Sequence, residues 1–157
     1  MYACLDIGLF HYLILDTMAI QPHSLIVIGA LLLALVTVES GGVFLTRVMQ
    51  GSVAANALQK SFFRAGHAHA AVLLVLSIVI LSVIDTANLS GVWEVIGRYG
   101  VPAAAILMPA GFFLSAIGPE PARPNRFMAL LWVGVFCVTA GLVVAGVGIL
   151  VAGISGL

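Results

Sequence analysis

Residues 127–157 read FMALLWVGVFCVTAGLVVAGVGILVAGISGL, a run without one acidic or basic side chain. An unpaired charge in hydrocarbon is costly, so charges mark where a membrane span can end. Working back toward the N-terminus, the same ruler finds three more gaps: His23 to Arg47, interrupted only by Glu39, then Arg64 to Asp85, then Arg98 to Glu120. Each gap holds about 20 residues or more, enough at ~1.5 Å per residue to cross a hydrocarbon core of roughly 30 Å as a helix. A helix satisfies its own backbone at that depth, whereas an open strand does not. The expected fold is all-α, an integral membrane four-helix antiparallel bundle with spans near 24–46, 62–84, 97–118 and 126–152.

Composition agrees. Of the 157 residues, 62% are hydrophobic and 8% charged, and the mean hydropathy of +1.23 lies far above what a water-soluble surface carries. Six Lys and Arg balance six Asp and Glu, leaving no basic face to hold a nucleic-acid backbone, so nucleic acid is excluded as a partner. Cys4 and Cys137 stand far apart in no metal-binding spacing, which indicates neither a disulfide framework nor a zinc knuckle.

The connections GSVAANALQKSF, DTANLSGVWE and GPEPARPNR are short and polar, so consecutive spans pack antiparallel; Pro119, Pro121 and Pro124 stiffen the last. Arg47, Lys60, Arg64, Arg123 and Arg126 gather at one end of the bundle, against Arg98 at the other. By the positive-inside bias the crowded end is cytoplasmic and both termini lie outside, in a multi-pass inner (plasma) membrane protein. Residues 1–23 stand apart: their first twenty are apolar but carry Asp6, His11 and Asp16, with no basic residue ahead of them as a signal peptide requires. They are expected to form an outer interfacial segment, or to precede a natural start at Met18; a fifth span is the weakest reading.

Small residues let helices approach closely, notably Gly41 with Gly42, Ala65 with Gly66, and Gly141 with Ala145. They read as packing within the bundle or across a homo-oligomer interface.

Polar residues inside an apolar span call for an explanation. Glu39 sits about eight residues, or ~12 Å, from Arg47 along the axis, and a carboxyl group at such depth must be neutral, paired or wet. Arg64, His67 and His69 stand in RAGHAHAA at the cytoplasmic entry of the second span. Two residues apart on a helix is about 200° of rotation, so His67 and His69 face different sides and cannot chelate one metal together. With Arg47 and Arg64 taken as one plane, the imidazoles rise ~5 and ~8 Å and Glu39 ~12 Å, a mismatch within one turn. Pro109, Met108 and Cys137 fall in the same band. A convergence of Glu39, His67, His69, Met108 and Cys137 on one pocket in the cytoplasmic half is therefore expected, although core filling explains Met108 and Cys137 as simply.

Imidazole is the commonest haem and metal ligand, and bundle cores commonly hold such groups. One reading makes His67 or His69 the ligand of a haem iron or a transition metal, with Glu39 as second ligand or ring partner and Arg64 meeting a propionate. Its second axial ligand would have to be Met108 or come from another protomer or a partner subunit. The other makes the chain a non-catalytic accessory or structural subunit of a larger membrane complex or homo-oligomer, with the same residues as a hydrogen-bond cluster. A proton path would need polar groups through the outer half, where Ser77 and Ser82 supply little. No nucleophile elbow, phosphate loop or paired-carboxylate constellation is present, so catalysis would rest on Glu39 and His67 alone and an enzyme is not the favoured reading.

The segments SFFRAGHAHAAVLLVLSIV, GVPAAAILMPAGFFLSAIG and RPNRFMALLWVGVFCVTAGLVVAGVGIL resemble a bacterial family of small four-helix integral membrane proteins, over roughly residues 24–152. The RAGHAH run is the most specific part. The resemblance implies topology and bacterial origin; the family has no assigned activity to carry over. The H-x-H run is also similar to histidine pairs of haem-copper oxidase-like membrane proteins, but the many other histidines of that fold are absent here.

Overall fold

The computed structural model describes residues 20–156. Most of the expectation for residues 1–23 lies outside them; of the remainder, Pro22 and His23 already belong to the first helix. Four long helices follow: α1 (Pro22–Met49), α2 (Ala57–Val83), α3 (Gly91–Ser115) and α4 (Met128–Ser155), with a short 3-10 turn, Ile84–Ala87, after α2. All four are long and apolar enough to cross a membrane, as the charge gaps predict, and the chain is a small polytopic membrane protein.

The largest boundary difference is at α3, which begins at Gly91 rather than near residue 97. Arg98, taken as a span limit, is inside the helix and 5% exposed. A paired charge does not have to stop a span, and Arg98 is paired.

Each helix makes its extensive contact with the next in sequence: α1 with α2, α2 with α3, α3 with α4. The α3–α4 seam is closest because small residues face each other across it. A Cβ on Gly100 would stand 2.8 Å from the Cα of Gly141, and one on Gly134 would meet Met108 Cγ at 2.5 Å. The Gly141–Ala145 pair is thus packing inside the bundle, with Ala145 buried in the core beside Val101, Ala104 and Ala105. One face of α1 packs into the core through Leu31 with Val27, Ile28, Ala34, Leu35 and Val38 around it, and the opposite face is exposed.

At the end carrying Arg47, Lys60 and Arg64, the loops are tied together. Asn56 caps α2 reciprocally with Gln59. The spare amide hydrogens then reach across: Asn56 Nδ2 donates to Pro121 O at 2.9 Å and Gln59 Nε2 to Gly118 O at 3.0 Å. Asn125 closes the other side, its backbone N–H on Ser115 O and its Nδ2 on Leu114 O, satisfying carbonyls that the end of α3 leaves open.

Candidate functional site

The polar residues singled out in the sequence fall into separate environments. His67 turns toward α1: a Cβ on Gly41 would lie 3.6 Å from its Nδ1, and one on Gly42 3.5 Å from its Cε1. The two glycines form a flat floor for the ring. His69 turns toward α3. Its Nδ1 lies 2.8 Å from Ala65 O, and its ring centroid is 5.0 Å from that of Phe112. Nδ1 donates there, because a carbonyl oxygen can only accept, and Nε2 is the ring nitrogen left without a partner from Ala65.

The His69 imidazole belongs to an aromatic layer that sequence reasoning did not single out. Phe63 of α2 lies between Phe44 of α1 (centroids 5.7 Å apart) and Phe113 of α3 (5.6 Å), while Phe62 meets Phe112 edge-on at 5.7 Å. Gly66 admits this layer, since a Cβ there would come within 2.9 Å of the Phe113 ring. The signal was present as the Phe62-Phe63 and Phe112-Phe113 pairs of α2 and α3, with Phe44 on α1, at the level where membrane aromatics collect.

The layer also sets the register. With Gly41 and Gly42 opposite His67, and Phe44 opposite Phe63, Glu39 stands level with His69. The one-turn mismatch that follows from treating Arg47 and Arg64 as coplanar is removed, because Arg47 lies nearer the aqueous side. Glu39 is therefore about 7.5 Å deeper than Arg64. It does not turn inward, however. It is exposed on α1, and no hydrogen bond or ion pair to it exists among the described residues. Helix side chains lean toward their own N-terminus, which for α1 points Glu39 toward the bilayer centre and away from the nearer interface. Its exposed neighbours solve their problem locally: the Ser40 and Thr46 hydroxyls donate to Thr37 O and Gly42 O. A carboxyl group has no such backbone solution.

Arg64 is exposed, and Met108 is buried against Gly134 of α4. The structure thus brings His67 to the helix that carries Glu39 and packs Met108 toward α4. Among the described residues no group of three or more His, Cys, Asp or Glu is placed to hold a metal ion.

A second polar cluster lies at the opposite end. Arg98 Nη2 is 2.7 Å from Asp85 Oδ1 and 3.2 Å from Glu94 Oε1, and Nη1 donates to the fully buried Ser24 Oγ. The Gln21 backbone N–H donates to Asp85 Oδ2 at 2.8 Å. The Nη2 approach to Oδ1 is an ion pair rather than an aligned hydrogen bond, so Oδ1 and Arg98 Nε have no hydrogen-bond partner. Glu94, Asp85, Arg98 and His23 line a polar cavity of about 200 Å³ there. The cluster joins the start of α1, the 3-10 turn and α3, three segments that must meet for the bundle to close. Its one sequence signal is the Glu94–Arg98 spacing of four residues on a helix.

Compared with protein families, curated proteins and solved structures, the chain matches none of them. The family resemblance drawn from the RAGHAH run therefore rests on those residues alone.

Proposed function

We propose that this protein is a non-catalytic membrane subunit whose work is lateral association within the bilayer, through the face of α1 that turns away from α2. One observation carries the reading: Glu39, level with His69 and exposed on α1, has no partner among the described residues. A carboxyl group exposed to lipid at this depth is retained at a cost, and a helix packed beside it removes that cost by supplying a hydrogen bond. The edge position of α1, whose extensive contact is with α2 alone, leaves the room. The opposite end supports the same reading, since the Arg98 cluster braces α1 against the rest of the bundle and keeps the exposed face presented at a fixed angle.

In this reading the Arg47, Lys60, Arg64, Arg123 and Arg126 end faces the cytoplasm, and the Pro22 and Ser155 ends of α1 and α4 face outward, in a bacterial inner membrane. A photo-reactive residue placed at Val36, in native membranes, tests the association. A covalent adduct to a polypeptide supports it; an unmodified chain, with efficient activation shown on a control protein, refutes it.

A second reading is favoured by the His69 hydrogen bond alone. Nδ1 held by Ala65 O leaves Nε2 as the nitrogen that would ligate a haem iron or transition metal. The remaining ligands, Glu39 among them, would have to be shared with a second chain. A purified protein without a Soret band after haem supplementation, and without metal by elemental analysis, discards this reading.

A further inference from the structure

We infer that the partner of α1 is a second copy of the same chain, docked along the seam Leu25, Gly29, Leu32, Val36, Glu39, Val43 with the two Glu39 carboxyl groups hydrogen-bonded to each other. The inference rests on the association proposed above and names its partner.

The seam follows from spacing and exposure. Its residues are separated alternately by four and three positions, the interval that keeps one line of a helix facing a parallel neighbour. Leu25, Leu32, Val36 and Val43 are each more than half exposed. At about 100° per residue, this line is roughly 130° around α1 from the stripe that packs on α2, so a second helix can lie there without displacing α2. A Cβ on Gly29 would meet nothing within 4 Å, and the missing side chain lets a facing helix come close.

Symmetry then selects the occupant. Two copies related by a twofold axis along the membrane normal bring each residue opposite itself at equal depth. The group that must be satisfied is a carboxyl, and a neutral carboxyl both donates and accepts one hydrogen bond. Another carboxyl at the same depth satisfies it completely, and the twofold places one there without requiring any other polar residue. Between Ser24 and Thr46 the chain has no charged residue besides Glu39, so self-pairing brings no like charges together elsewhere along the span. A single polar residue in an apolar seam also fixes register and favours a two-stranded state, because any slip buries the polar group unpaired.

The test uses the full chain in membranes, with Cys4→Ser and Cys137→Ala as background. Single cysteines at Leu32, Val36 and Val43 are expected to form disulfides between copies on mild oxidation. Cysteines at Ala30 and Thr37, exposed on the other flank of α1, are expected not to. Glu39→Gln, whose amide also donates and accepts, is expected to keep the cross-linking yield, whereas Glu39→Leu weakens self-association roughly 3- to 30-fold in lipid dilution, the range of one interhelical hydrogen bond. Disulfides at Ala30 and Thr37 instead, or a Glu39→Leu variant that associates as well as the parent, overturn the seam. If the seam cysteines give no inter-copy disulfide while the photo-reactive residue at Val36 captures a different polypeptide, the second-copy inference fails and the subunit reading survives. If neither adduct forms, both fail.

Discussion

Replacing Arg98 by Met tests the brace at the Pro22 end of α1. The substitution keeps the length of an unbranched side chain and removes the charge, leaving Asp85 and Glu94 facing each other. Asp85 is 9% exposed at its side chain and Arg98 5%, so their pair is buried; Glu94 is 40% exposed, and its share is screened as at a surface. Breaking a buried ion pair from one side costs about 3–5 kcal/mol. Asp85 keeps the Gln21 N–H, and the adjoining cavity of about 200 Å³ admits water, which puts the expected loss near the lower limit, roughly 3 kcal/mol. Equilibrium unfolding in mixed micelles, followed by helical circular dichroism, measures it. A double-mutant cycle apportions it: Arg98 with Asp85→Asn should couple by roughly 2 kcal/mol or more, and Arg98 with Glu94→Gln by less than about 0.5 kcal/mol. Arg98→Lys should fall between, since one ammonium cannot meet Ser24, Asp85 and Glu94 in the geometry of a guanidinium fork. An Arg98→Met protein within about 0.5 kcal/mol of the parent, the size of an ordinary surface change, refutes the claim that this cluster holds α1 in place.

The α3–α4 seam makes a sharper prediction about volume. Gly100→Leu and Gly141→Leu should each cost more than ~3 kcal/mol or prevent folding, since the atoms a side chain would meet are backbone. Gly29→Leu and Gly146→Leu, with open space at the Cβ, should fold normally, and thermal unfolding in detergent compares the four. Asn56→Ala removes the α2 cap and its bond to Pro121 O, costing about 1 kcal/mol, and should speed tryptic cleavage after Arg126 as the loop loosens. Gly66→Val should separate α2 from α3 by driving a branched side chain into the Phe113 ring, which a faster hydrogen exchange of the amides near Phe112 would report.

Four spans and their antiparallel order were legible from the sequence, because hydrocarbon penalises charge so strongly that the gaps between charged residues act as a ruler. The division of His67 and His69 between two sides of α2 was also readable, since it depends only on helical rotation. The ruler misjudged the start of α3 for a reason the sequence alone does not contain: Arg98 is inside the bundle because Asp85 and Ser24 reach it from other segments, beside Glu94 of its own helix. Depth along a single helix could likewise be counted, but the register between α1 and α2 waited on Gly41 and Gly42 receiving the His67 ring. Whether Glu39 turned inward or outward was beyond any count of residues. Lipid and a helix core are equally apolar, so a span's pattern does not distinguish them, and only the packing of Leu31, Ala34, Leu35 and Val38 into the core decided that the carboxyl of α1 faces away.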